Sequence, residues 1–105
     1  VEGLAPDFAA VAKLDTFALI VTAPGRDGID FVSRFFAPAK GIPEDPVTGS
    51  AHCTLVPYWA ERLGKTVLEA RQVSRRGGAL SCKLMGDRVI MSGNAVLFMT
   101  ATITI

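Results

Sequence analysis

The chain has 105 residues, half of them hydrophobic, with 11 basic side chains against 10 acidic ones and a formal net charge of +1. That length suits one domain with an adequate core, and it leaves no room for a second. The near-neutral charge offers no footprint for nucleic acid, and no apolar run reaches the roughly 18 residues that a membrane span needs.

Pro6 and Asp7 open a short predicted helix over Phe8 to Leu14, with apolar residues at helical spacing. "TFALIVTA" (Thr16 to Ala23) is β-branched and nearly all apolar, which predicts a strand buried on both faces, and "PGRDG" ends it with turn chemistry. "IDFVSRFFA" (Ile29 to Ala37) reads as a second strand whose alternation sets Phe31, Ser33 and Phe35 on one side and Arg34 among aromatics on the other. From Ser50, Ala51, Leu55, Trp59 and Leu63 recur every four residues with Val56 and Ala60 beside them, predicting a helix buried over most of its surface. Gly64 is placed to terminate it, and Pro57 inside it removes one backbone donor and predicts a kink. "TVLEARQVS" (Thr66 to Ser74) reads as a strand and "RRGG" (Arg75 to Gly78) as a turn. A hairpin turning at Gly86 and Asp87 follows, and "AVLFMTATITI" is a last long strand.

About six strands and one apolar helix exclude a doubly wound α/β fold, which needs a helix at every parallel crossover. The expectation is an α+β domain, with a barrel-like, mostly antiparallel sheet wrapped around a central apolar helix. Cys53 and Cys82 lack Cys-x-x-Cys spacing and His52 is the single histidine, so no metal site is expected. No signal or transit peptide opens the chain, which begins at Val1 rather than Met, and the expected compartment is a reducing cytoplasm.

The chemistry-bearing stretch is "GIPEDPVTGSAHC", residues 41 to 53. Asp45 is held extended by Pro46, and Thr48, Gly49 and Ser50 deliver the chain to the helix N-terminus. The first N–H groups of a helix lack internal partners and favour an anion, so a substrate carboxylate fits there, with Gly49 allowing close approach and Ser50 donating. Asp45 is then near enough to exchange a proton with the bound molecule. The same pattern equally fits an ordinary N-cap at Thr48 or Ser50 worth about 1 kcal/mol. His52 reads as a satisfied first-turn residue kept neutral by the helix dipole, and Cys53 as a small core residue. Arg75 and Arg76 fit either a carboxylate clamp or an exposed charged turn, the commoner outcome.

"SRFFAPAKGIPEDPVTGSAHC", "PYWAERLGK" and "QVSRRGG" closely resemble the C-terminal half of the phenazine-biosynthesis PhzF-like isomerases, strongly from Asp30 to Gly78. The resemblance implies half of a diaminopimelate epimerase-like fold, in which two similar domains face each other across a cleft between helix N-termini. The founding reaction shifts a proton between ring carbons of trans-2,3-dihydro-3-hydroxyanthranilate without metal or organic cofactor. By the same resemblance Asp45 maps onto the family's C-terminal catalytic aspartate and Gly49 and Ser50 onto its substrate-contacting pair, and Thr48 beside them is expected to bind substrate as well. Ser50 thus carries both a catalytic and a binding assignment.

The family's main base is a glutamate of the N-terminal domain, supported there by a histidine, and neither motif is found in these 105 residues. His52 lies in a different element and does not replace it. The expected partners are therefore a small carboxylate-bearing substrate and either a complementary N-terminal half or a second copy of the chain. A non-catalytic module that merely binds small carboxylates is the competing expectation.

Overall fold

The computed structural model describes residues 1–105. The elements run α1 (Phe8–Ala12), β1 (Leu19–Pro24), β2 (Phe31–Ala37), a 3-10 turn (Pro38–Lys40), β3 (Ile42–Asp45), α2 (Gly49–Leu63), β4 (Val67–Gln72), β5 (Gly78–Met85) and β6 (Arg88–Ser92). Asp7 caps α1 by accepting a hydrogen bond from the Ala10 N–H at 3.1 Å, and the helix ends at Ala12, short of Leu14. It buries no residue, so nothing beyond local capping extends it.

The six strands form one sheet in the order β1-β2-β4-β5-β6, with β3 also paired to β2. Every pairing is antiparallel except β2 with β4, and α2 lies in the crossover that this one parallel pair requires. The α+β class and the mostly antiparallel sheet hold. The sheet is not closed, however, because β1 and β6 remain unpaired on their outer edges. "Barrel-like" describes its wrapping around α2 only loosely.

The central helix runs from Gly49 through Pro57 to Leu63, and Gly64 ends it in the left-handed conformation (φ 66°), as its position predicted. It buries Ala51, His52, Leu55, Val56, Trp59 and Ala60, which is one face rather than most of its surface. Leu63 and Tyr58 are exposed on the other side. Trp59 stacks on Phe31 with ring centroids 5.9 Å apart, and its Nε1 donates to Thr22 Oγ1 at 2.9 Å, so one side chain locks the helix to both β1 and β2.

Three strand expectations need correction. β1 is half-buried rather than buried on both faces, because it is an edge strand. Ile42–Asp45, for which the sequence reading names no element, forms β3. Residues 95–105, read as the closing strand, pair with no strand of this chain, and Leu97 and Phe98 are 83% and 96% exposed. The radius of gyration, 15.7 Å, exceeds the roughly 13 Å expected for a compact chain of this length.

Arg34 sits 4.9 Å over the Phe36 ring, as its place among aromatics suggested. Its Nε and Nη2 donate to the Glu44 carboxylate at 2.7 and 3.0 Å, and Nη1 donates to the Leu4 carbonyl at 2.6 Å. The Glu44 bond outweighs burial and holds the guanidinium charged. This bidentate pair ties β3 to β2. Because Arg34 is buried, Glu44→Ala leaves its charge with carbonyl partners only, and we expect a loss of about 3 kcal/mol in denaturant unfolding, well above the effect of an exposed ion pair.

Candidate functional site

The sheet topology places the corner. β4 runs parallel to β2 and reaches Ser33 with its last residue, Gln72, whereas β3 runs antiparallel and reaches Phe35 with its last residue, Asp45. The two strands occupy the same flank of β2 and run toward each other. Their C-terminal ends, Asp45 and Gln72, therefore meet, and the chain leaves β3 at Pro46 to start α2 three residues later.

Thr48 occupies the N-cap position of α2, yet its hydroxyl makes no capping bond. It donates instead to Asp45 Oδ2 at 2.5 Å. The ordinary cap is thus not formed: Gln72 accepts from the N-cap N–H, but no side chain accepts from the N–H groups of Gly49 and Ser50, which begin this 15-residue helix. Gly49 and Ser50 are its first two residues and both are exposed; a Cβ built on Gly49 meets no atom within 4 Å. Asp45 is half-buried, and Thr48 is 7% exposed. The structure brings Asp45 and Thr48 into direct contact and leaves Ser50 on the rim.

The turn after β4 is fastened to the same corner. Ser74 Oγ donates to the Pro46 carbonyl and accepts from the Gly77 N–H, both at 2.9 Å. The Val47 side chain fills the space that a Cβ on Gly78 would need. Arg75 and Arg76 are exposed and form no salt bridge. Arg76 and Asp45 line one open cleft of about 580 Å³ together with Val47, Gly78 and Asn94. The exposed charged turn is therefore the outcome, and it stands where Arg76 overlooks the cleft.

His52 is fully buried beneath the corner. Its Nδ1 donates to the Thr48 carbonyl at 2.8 Å, which fixes the tautomer and leaves Nε2 as a buried lone pair without a partner. Burial lowers its pKa, with the Thr48 bond opposing, so the neutral form read from the sequence holds for a different first cause and the ring is only half satisfied. In the unfolded chain the imidazole takes a proton below about pH 6.5, whereas the folded chain resists it. Stability is then full above about pH 6.5 and falls as the pH drops, by at most about 1.4 kcal/mol per pH unit. Chemical denaturation at pH 7.5 and 5.5 is expected to show this loss in the parent chain and a smaller one in His52→Leu.

Cys53 is exposed, not a core residue, because the buried stripe of α2 turns away from it. Cys82 is buried, and burial followed by the nearby Glu69 charge pushes its thiol up to about 11, which makes it inert at neutral pH. No group of three or more His, Cys, Asp or Glu side chains converges in a way that would hold a metal ion.

Gln72 is the site residue that the sequence reading passed over. The signal was present: alternation along β4 sets Leu68, Ala70 and Gln72 on the buried face, and an amide in a core row needs partners.

An open α+β sheet, one docked helix with a bare N-terminus and a carboxyl group beside it define a domain able to hold an anion against an acid/base group. Residues 1–101 match the family model described as phenazine biosynthesis-like protein, PhzC-PhzF. The chain belongs to that family. It is 61% identical over 97 residues to an uncharacterized isomerase of Pseudomonas aeruginosa, covering 92% of this chain and 37% of that protein. A phenazine biosynthesis-like domain-containing protein of Bos taurus is 50% identical over 92 residues, covering 82% of this chain and 32% of its own length.

Among solved structures, a PhzF-family phenazine biosynthesis protein of Enterococcus faecalis superposes with a TM-score of 0.89 at 53% identity, covering 94% of this chain and 38% of that one. A putative PhzC/PhzF protein of Clostridium difficile gives 0.86 at 50% identity, covering 98% and 40%. The chain thus spans about two fifths of these relatives' length. No helix is long and apolar enough to cross a membrane.

Proposed function

We propose that the chain supplies one wall of an isomerase site in which side chains move a proton on a small carboxylate-bearing substrate, and that it works together with a companion half. The uncapped α2 N-terminus beside Asp45 is the observation that carries this reading. The substrate carboxylate sits against the Gly49 and Ser50 N–H groups, where the helix dipole favours it and the Ser50 hydroxyl adds a donor. Arg76, which lines one cleft with Asp45, contributes positive charge. Asp45 gives a proton to a substrate carbon or takes one from it, and Thr48 serves the site through Asp45.

A proton shift needs a second group on the opposite face of the substrate and a cleft that excludes water. Family resemblance assigns that group to a glutamate of the companion half. Two observations support a companion: the relatives are about two and a half to three times as long as the matched segment, and residues 95–105 leave an apolar segment exposed.

The test is to mix the chain with the separately expressed remainder of such a relative and follow solvent deuterium uptake by NMR. trans-2,3-Dihydro-3-hydroxyanthranilate is the first probe, followed by a panel of small carboxylates. Uptake by the pair and by neither half alone is expected. Carboxylate binding without uptake by the assembled pair would instead select a binding module.

A further inference from the structure

Gln72 is fully buried, and all three of its side-chain hydrogen bonds go to residues 45–48. Its Oε1 accepts from the Thr48 backbone N–H at 2.8 Å. A backbone N–H can only donate, so the amide orientation is fixed. Nε2 consequently faces the other way, donating to the Asp45 carbonyl at 2.8 Å and to Thr48 Oγ1 at 3.0 Å. Thr48 Oγ1 accepts a hydrogen bond from Gln72 Nε2 and directs its own proton to Asp45 Oδ2, which as a carboxylate oxygen can only accept.

From this chain of donors we infer that Gln72 is a positioning residue for the reaction proposed above: it turns the Thr48 hydroxyl into a donor that occupies Asp45 Oδ2 and thereby reserves Oδ1 for proton exchange with the substrate. The inference rests on the reading of Asp45 as the acid/base group. Gln72 touches no substrate. It acts by holding both the Asp45 backbone and the hydroxyl that orients the Asp45 carboxyl, and small displacements of a reacting group are costly in rate.

Glutamate at this position has nearly the same shape and the opposite effect. Its carboxylate still accepts from the Thr48 N–H, but it donates nothing to the Asp45 carbonyl and competes with Asp45 for the Thr48 hydroxyl proton. The Thr48 hydroxyl then turns away, and Asp45 loses its fixed orientation.

The first test needs no variant and no substrate. In the NMR spectrum of the chain itself, the Thr48 hydroxyl proton is expected to exchange slowly and to show a contact with the Gln72 side-chain amide. Absence of that contact overturns the inference. In the chain assembled with its companion half, Gln72→Glu is expected to lower kcat by about 10-fold to 100-fold with KM within about 2-fold, the signature of a misplaced reacting group rather than lost binding. Thr48→Ser, which keeps the hydroxyl, stays near the parent rate. Gln72→Glu added to Thr48→Val costs little beyond Thr48→Val alone, because both act through one bond.

A folded Gln72→Glu with parental kcat would overturn the positioning role even where Asp45→Asn is inactive. A fully active Asp45→Asn would overturn the acid/base reading and this role with it. The two failures are therefore told apart by which variant keeps its rate.

Discussion

Asp45→Asn is expected to lower kcat of the assembled enzyme by about 10²-fold to 10⁴-fold, the range that a positioned acid/base group supplies. Asparagine has the same outline and keeps an oxygen that can accept from Thr48 where Asp45 Oδ2 now does at 2.5 Å. The α2 N-terminus and the Gln72 bond to the position-45 carbonyl do not depend on the carboxyl group. The variant should therefore fold and bind substrate, and only its capacity to carry a proton disappears. Substrate affinity, measured by calorimetry on the same preparation, is expected to change little. Parental turnover in Asp45→Asn would show that another group moves the proton and would sink the assignment.

The sequence made the corner legible because its constraints are local. Proline after Asp45 restricts the backbone, and Thr48-Gly49-Ser50 sits where apolar periodicity begins. Those signals do not reveal which bond Thr48 makes. A hydroxyl at an N-cap normally closes on its own helix; here it donates to the Asp45 carboxylate, a choice made by tertiary geometry. Gln72 was hidden for a related reason. Its row on the buried face of β4 was readable, but its partners lie on β3 and its loop, across a meeting of strand ends that no single segment encodes.

Among the elements, α2 and the hairpin turning at Gly86 and Asp87 followed from strong local patterns. β3 did not, since four residues with a proline inside look like loop until an edge of β2 offers them a partner. The helix was read as more buried than it is for a reason that also bears on the last strand. Hydrophobicity says that a surface is covered, but not that this chain covers it.

Removing residues 95–105 is expected to abolish association with the companion half while leaving the 1–94 body folded. The segment contains no charged side chain, glycine or proline, and its alternation sets Leu97, Met99, Ala101, Ile103 and Ile105 on one side against Val96, Phe98, Thr100, Thr102 and Thr104 on the other, so the polar face begins at Thr100. That is the pattern of a half-buried strand, yet it packs on nothing here. Burying one Leu, Ile, Phe or Met side chain is worth about 1.5–3 kcal/mol. If only about 3 kcal/mol of the segment's total survives the costs of association, its loss weakens the complex more than 100-fold.

Light scattering on the parent chain, the truncated chain and each mixture with the companion half reads this directly. Tight binding by the truncated chain would show that other surfaces join the halves. A stable pair of 11.1 kDa chains without the companion would show instead that a second copy covers the strand. The expected result, assembly only with the segment present, makes the same residues responsible for closing the cleft over Asp45, because a wall that is not held in place cannot exclude water from the proton it faces.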